Sequence, residues 1–491
     1  MSMKKATAQQ LRHLRRRRVP AWWLDAKLGI FVQWTIASVP AFAPVEGGIN
    51  EVLATNQVNT IAHSPYVEWY ENSLRFPESP VAKFHEATFP GRTYHSFAAD
   101  FEAGGAEWDP QDWAKKFAAT GARYVVFDVK HHDGYCLWPT AVVNPHRPGW
   151  HSQRDLVGEM AAAVRGAGMH FGIYYSGGLD WTFDATPLGT VAGVLGGIPR
   201  GDYVAYADAH VRELIDRYQP SILWNDIAWP STAADLWQLF DYYYQRVPDG
   251  VVNDRWTPYN WLFAVAHTSL GRRVLNYFAA QQMKKDGGLV PPTPPHYDFR
   301  TPEYTSFADA QKNPWECIRG IDRSFGYNAF SRREDFLSRP ALLTLLADVV
   351  AKGGNLLLNV GPRGTDAIIP EEQQLRLDWL GEWTKRNGSA LFATRPWVVA
   401  QSVTSDEVQV RYTSHGESVF ALLVAPGERI VLRDVAPTPR TTLLSMDGRI
   451  LEWRETHGGI EVESPALDAD LDVIECRYVV ARPLAERTAG D

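Results

Sequence analysis

Three polar clusters each come after a short apolar run. Lys130-His131-His132-Asp133 comes after the strand opened by Tyr124-Val125-Val126-Phe127, Asn225-Asp226 follows Ile222-Leu223-Trp224, and Asn253-Asp254-Arg255 follows Val251-Val252. Asp226 stands between Trp224 and Trp229. A carboxylate there can act as a nucleophile or base toward a sugar held by indole faces, because glycoside cleavage needs one carboxyl group to attack and another to protonate the leaving oxygen. Asp226 can equally be the N-cap of a helix beginning near Pro230, and on spacing alone the two readings stand level. The pair His131-His132 invites a metal reading. If both lie in a strand they point to opposite faces, so sharing one ion is awkward and hydrogen bonding to a hydroxylated ligand fits better.

The elements that must carry these clusters alternate between strand and helix. Asp109-Pro110 reads as a cap and first helical residue, ahead of Trp113, Phe117 and Ala118 on one helical face. Asp155 caps a second helix with Leu156, Met160 and Val164 on one face, and strand 171–175 follows. A third helix carries Val211, Leu214, Ile215 and Tyr218, stops at Pro220 and leads into Ile222. A fourth, around Leu236 to Tyr244, leads to Val251. Repeated βα units imply parallel strands with right-handed crossovers. No glycine-rich phosphate loop follows an early strand, so a (β/α)8-like (TIM-type) barrel is expected over a doubly wound sheet. Barrel chemistry sits at the C-terminal strand ends, where the three clusters fall.

Beyond Trp397 the texture changes to short period-two runs such as Val408 to Tyr412, read as a C-terminal β-sandwich. The expected organisation is a basic tail at 1–20, a catalytic barrel at 21–395 and the sandwich at 396–485. Residues 271–295, rich in Lys, Gly and Pro, read as a loop at the mouth of the site.

Bulk properties exclude several function classes. A net charge of -8 gives no general attraction to nucleic acid or anionic membrane. The basic run from Arg12 to Arg18 reads as a solvated tail or helix face. No apolar stretch has the length of a membrane span or a signal-peptide core, and a cytoplasmic protein is expected. Cys136, Cys317 and Cys476 are odd in number and widely spaced, which argues against disulfides and zinc. No cofactor or metal is expected. The 19 tryptophans point mildly to carbohydrate, although most should fill core.

The chain resembles glycoside hydrolase family 29, the α-L-fucosidases. The motifs carrying the resemblance run in order from 23–40 (WLDAKLGIFVQWTIASVP) through Glu68-Trp69-Tyr70, 122–140 (ARYVVFDVKHHDGYCLWPT), 154–157 (RDLV), 171–181 (FGIYYSGGLDW), 223–230 (LWNDIAWP), 253–256 (NDRW) and Trp315-Glu316 to 354–362 (GNLLLNVGP). Asn387-Gly388 and 394–397 (TRPW) are similar to that family's junction with its sandwich. The resemblance implies a barrel-like catalytic domain and double displacement with retention, and it puts Asp226 at the nucleophile position. It puts the acid/base within 296–304 (HYDFRTPEY), at Glu303, with Asp298 a local rival and Glu68 a distant one. It implies substrate contacts from Glu68, Trp69, His131, His132, Tyr174 (or Tyr175), Trp224 and Arg255.

One departure stands out. The family reads His-Trp-Gly where this chain has Gln33-Trp34-Thr35. Glutamine still donates and accepts, but it is longer and does not titrate, so Gln33 can keep a hydroxyl contact while shifting the preferred sugar. The expected function is release of terminal fucose from an oligosaccharide or glycoconjugate. A related sugar such as an L-galactoside or arabinoside is the first alternative, and carbohydrate binding with little catalysis is the second. Neither nucleic acid nor membrane is an expected partner, and a homo-oligomer is compatible with the sequence.

Overall fold

The computed structural model describes residue 14 and residues 16–54, 59–286, 294–404 and 407–483. Within these, seven parallel strands form one sheet: β1 (Leu28–Val32), β2 (Tyr124–Lys130), β3 (His170–Tyr175), β4 (Ile222–Asn225), β5 (Val251–Val252), β6 (Trp315–Gly320) and β7 (Gly354–Val360). Their order is β5-β4-β3-β2-β1-β7-β6. Residues 298–304 cross the gap between the edge strands β5 and β6. On one side Asp298 N donates to Val252 O at 2.9 Å; on the other, Glu316 N donates to Arg300 O at 2.8 Å and Tyr304 N to Ile318 O at 2.9 Å. This strap joins the two edges and completes a (β/α)8-like barrel. It is irregular because Pro302 has no N–H to give and Tyr304 sits at φ 53°.

Alternation along each strand divides inside from outside. Tyr124 and Val126 of β2 pack inside the barrel with Phe31, Tyr174, Ile222, Trp224 and Leu357. Val125, Phe127 and Val129 face the outer shell, against Phe117, Met160 and Val164 of the surrounding helices. Gly29 lets the Tyr124 ring cross the interior, since a Cβ there would lie 2.3 Å from that ring. The helix Pro110–Ala119 is capped by Asp109, and Leu156–Gly166 by Asp155. Of the tryptophans, Trp23, Trp34, Trp138, Trp229, Trp237, Trp256, Trp315 and Trp383 are fully buried, so packing accounts for much of the aromatic excess.

From Arg395 onward a six-stranded antiparallel sheet packs on a three-stranded one. The strand Ser418–Val424 explains how this module attaches. Val419, Ala421 and Leu423 face the sandwich core, whereas Phe420 and Leu422 join the barrel's outer core. Arg411 Nε lies 2.7 Å from Asp348 Oδ1, and Arg339 pairs with Asp468 at 2.7 Å, fastening the edges of that contact.

Two expectations change. The segment read as a loop from 271 contains the helix Ser269–Asp286, and residues 287–293 lie outside the described chain. Glycine and proline concentrate after Asp286, whereas residues 269–286 are mostly good helix formers, so averaging the two hid the helix. The basic run is not wholly solvated. Arg12, His13 and Arg15 lie outside the described residues, but the Arg17 guanidinium rests 4.0 Å from the Tyr244 ring centre and its Nε 3.8 Å from Asp298 Oδ1. No helix among the described residues is long and apolar enough to cross a membrane.

Candidate active site

The end of β4 is locked to the end of β5 by two asparagines. Asn225 N donates to Asn253 Oδ1 at 3.0 Å, and Asn253 Nδ2 donates back to Asn225 O at 2.9 Å. Asn225 Nδ2 also reaches Ala228 O at 2.9 Å and Arg255 O at 2.8 Å. One buried amide therefore fixes the backbone of both segments that carry charge into the site. Asp226 follows at once, in a turn whose next residue, Ile227, has φ 66°. A β-branched residue in that region costs roughly 1–3 kcal/mol, and such strain gathers where a side chain must be aimed. The helix beyond is capped by Thr232, not Asp226, which leaves the Asp226 carboxylate free for the site.

Arg255 holds two carboxylates at once. Its Nη1 donates to Asp226 Oδ1 at 2.9 Å and its Nη2 to Glu303 Oε2 at 3.0 Å. Tyr174 donates its hydroxyl to the other Asp226 oxygen at 2.9 Å, and Tyr66 donates to Glu303 Oε1 at 2.6 Å. Burial and the neighbouring carboxylates raise the pKa of both phenols, so they stay protonated as donors. Burial alone would lower the Arg255 pKa, but Asp226 and Glu303 outweigh it and raise it. The guanidinium also lies over the Trp224 ring, 4.8 Å from its centre, and Trp224 Nε1 is held by Glu316 Oε1 at 3.1 Å. Asp254 fastens the strap next to Glu303 by accepting from Thr301 N at 3.1 Å and Thr301 Oγ1 at 2.7 Å.

The wall between β1 and β3 is made of neutral polar groups. His131 and His132 lie 4.0 Å apart by ring centres, beyond the last residue of β2. Strand alternation therefore does not separate them as expected. Burial pushes both imidazoles well below their usual pKa, so they are neutral and each offers one donor and one acceptor. His131 stacks on Tyr174 at 5.5 Å, and His132 Nδ1 is 2.6 Å from Ser176 Oγ. Trp69 meets His132 and Trp181 edge-on at 5.1 and 5.8 Å. Glu68 is buried with one oxygen accepting from Gly326 N at 2.9 Å. Burial raises its pKa from 4.5 to about 8, which the nearby Glu303 and Asp322 reinforce. Gln33 is 2% exposed at the end of β1 and its Oε1 meets no hydrogen-bond donor.

The expected residues thus gather at one rim, with two exceptions, one of them Tyr175, which faces the outer shell with its hydroxyl 3.2 Å from His210 Nδ1. The rival Asp298 accepts from Val252 N at 2.8 Å and Tyr244 OH at 2.7 Å, a fastening at the β5 edge away from Asp226. Tyr66 is not singled out by the sequence, and the roles of Asp254 and Glu316 are not read from it, because each contributes through a contact distant in sequence. Among the described residues no group of three His, Cys, Asp or Glu side chains could hold a metal ion.

A parallel barrel whose rim carries two carboxylates on one guanidinium, ringed by neutral hydrogen-bonding side chains and indole faces, is the architecture of a glycoside hydrolase. The family model described as Alpha-L-fucosidase matches residues 2–389. The chain belongs to that family. It is 30% identical over 457 residues to tissue alpha-L-fucosidase of Bos taurus, covering 89% of this chain and 82% of the relative. To the alpha-L-fucosidase of Branchiostoma floridae it is 30% identical over 484 residues, covering 95% and 92%. The solved structure of Thermotoga maritima alpha-fucosidase in complex with fucose matches with a TM-score of 0.77 at 38% identity, covering 94% of this chain and 98% of that one.

Proposed function

We propose that the protein is a retaining exo-α-L-fucosidase acting on fucosylated oligosaccharides or glycoconjugates. The bridging of Asp226 and Glu303 by Arg255 carries this reading. In the first half-reaction Asp226 attacks the anomeric carbon as Glu303 gives its proton to the leaving oxygen. Asp226 is then a neutral ester and Glu303 an anion. In the second half-reaction Glu303 takes a proton from water, the water oxygen bonds the anomeric carbon, and Asp226 leaves as carboxylate. One negative charge therefore alternates between the two carboxyl groups, and Arg255 touches both places it occupies. Stabilising charge with a group that need not move is what a preorganised site does.

With an aryl α-L-fucoside, NMR should show α-L-fucose as the first-formed anomer; first formation of the β-anomer would overturn the retaining mechanism. Gln33 favours a second reading, in which the same machinery prefers a related sugar. Preference for an aryl L-galactoside or arabinoside over the fucoside would establish it. The three buried free thiols suit a reducing compartment, which we propose is the cytoplasm.

Glu68, neutral below pH 8, can donate a proton into a hydrogen bond with a sugar hydroxyl. Above that pH it ionises beside Glu303 and Asp322 and loses the donor. KM should therefore rise as pH passes about 8 in the wild type, and Glu68→Gln should flatten that limb. A limb unchanged in the variant would remove Glu68 from this role. The same shift bears on stability with a definite sign. A carboxyl with a raised folded-state pKa contributes stability that is full below 4.5 and is lost as pH rises through about 8.

A further inference from the structure

One buried carboxyl group has no part in the chemistry above. Asp128 lies in β2 with the inward parity of Tyr124 and Val126, so it points into the barrel. It is 1% exposed, and neither carboxyl oxygen has a hydrogen-bond partner among the described residues. Its register partner on β3 is Tyr174, whose hydroxyl holds Asp226. On the other side Val32 pairs with Phe127, which brings Gln33 opposite Asp128. The nearest cation is already engaged, since Lys130 Nζ is 3.0 Å from Asp180 Oδ2.

The groups around Asp128 share its condition. Gln33 Oε1, Thr35 Oγ1 and His131 Nδ1 are also buried without partners, and Thr35, Asp128 and His131 border one narrow void. Buried polar atoms are normally paired, and an unpaired carboxyl group in a core is costly. Five such atoms on four neighbouring residues, at the strand ends where the reacting carboxylates sit, indicate a surface built to be completed by a ligand.

We propose that Asp128 is a substrate-binding residue that receives one ring hydroxyl of the sugar and helps set which sugar the pocket accepts. The proposal rests on the glycosidase reading above. Burial, followed by the charges of Asp133, Glu68 and Asp226, raises the pKa of Asp128 well above the carboxylate range, with Lys130 opposing. As a neutral acid it presents one donor and one acceptor, the complement of a hydroxyl group that both accepts and donates. A site that pairs a buried group with a substrate hydroxyl strongly rejects the analogue lacking it, because the protein group is then left unpaired.

The test uses the wild-type protein, Asp128→Leu and Asp128→Asn on an aryl α-L-fucoside and its monodeoxy relatives. In the wild type, removal of one particular hydroxyl should cost at least about 100-fold in kcat/KM. Asp128→Leu should lose a similar factor on the parent substrate and hardly distinguish it from that deoxy relative. Asp128→Asn retains a donor and an acceptor and should keep the discrimination. The thermal midpoint of Asp128→Leu should equal or exceed that of the wild type, because an unpaired polar group has been removed. If the leucine variant does not fold, Asp128→Val makes the same comparison with a smaller side chain. Wild-type discrimination at every ring position in the apolar variant would overturn the proposal, as would a fall in its thermal midpoint that asparagine restores without restoring discrimination. Which sugar the wild type prefers tests the fucosidase reading. The ratio of variant to wild type on that preferred sugar tests Asp128, so the two fail separately.

Discussion

Replacing Asp226 with alanine should reduce turnover of an aryl α-L-fucoside by at least about 10⁴-fold, the scale seen when a covalent nucleophile is removed. Sodium azide should restore reaction and yield a glycosyl azide of inverted, β configuration. The substitution removes a carboxylate held by Arg255 and Tyr174 and leaves those two donors facing a space of carboxylate size. A small anion can enter that space and attack from the face Asp226 used, and one displacement inverts the centre. The fold should survive, because Arg255 keeps its pair with Glu303 at 3.0 Å. Wild-type-like turnover in Asp226→Ala would end the assignment. An azide product of retained configuration would move the nucleophile elsewhere.

Glu303→Gln should behave differently, and the difference identifies its role. General acid–base assistance is worth about 10²–10⁴-fold, and it matters most when the leaving oxygen is a poor one. An unactivated fucosyl disaccharide should lose the full factor. A dinitrophenyl fucoside needs no proton, so its first step should be nearly unaffected while the glycosyl-enzyme accumulates for want of a base. Azide, which needs no base, should then speed release and give the azide with retained configuration. Asp298→Asn is the internal comparison. Asp298 is bound to the Val252 amide and the Tyr244 hydroxyl, so its variant should lower thermal stability without any dependence on leaving group. Equal losses on both substrates for Glu303→Gln would show that Glu303 is not the acid. Leaving-group dependence in Asp298→Asn would transfer the role to it.

The barrel was legible because its signals are local. Capping residues, helical faces and short apolar runs sit close together in sequence, and Asp109, Asp155 and Pro220 mark element ends in the structure as they do in the chain. The Asp226 position was only half legible, since an aspartate after a strand serves a cap as well as a site. The structure removes the cap reading by putting Thr232 there. The strap was not legible, because it has neither alternation nor a run of apolar residues and is held by backbone bonds to strands far away in sequence. The parity argument for His131 and His132 fails because parity applies only within a strand, and β2 ends at Lys130, just before them. Asp128 carries no signal in the sequence that separates it from other polar residues in strands. Its isolation emerges only when the residues around it are known.

The strap also separates the two carboxyl groups in how freely each can be relocated. Asp226 is tied to the β4–β5 asparagine lock, and a one-residue insertion or deletion in β4 would turn its neighbours inside out. Glu303 rides on a segment bound through its backbone and through Asp254, with no side-chain periodicity to keep. Between the backbone bonds of Asp298, Arg300 and Tyr304 that close the barrel, its side chains can vary while those bonds stay as they are. An engineer seeking a different leaving group, or a sugar acceptor in place of water, can therefore graft alternative straps opposite an unchanged Asp226.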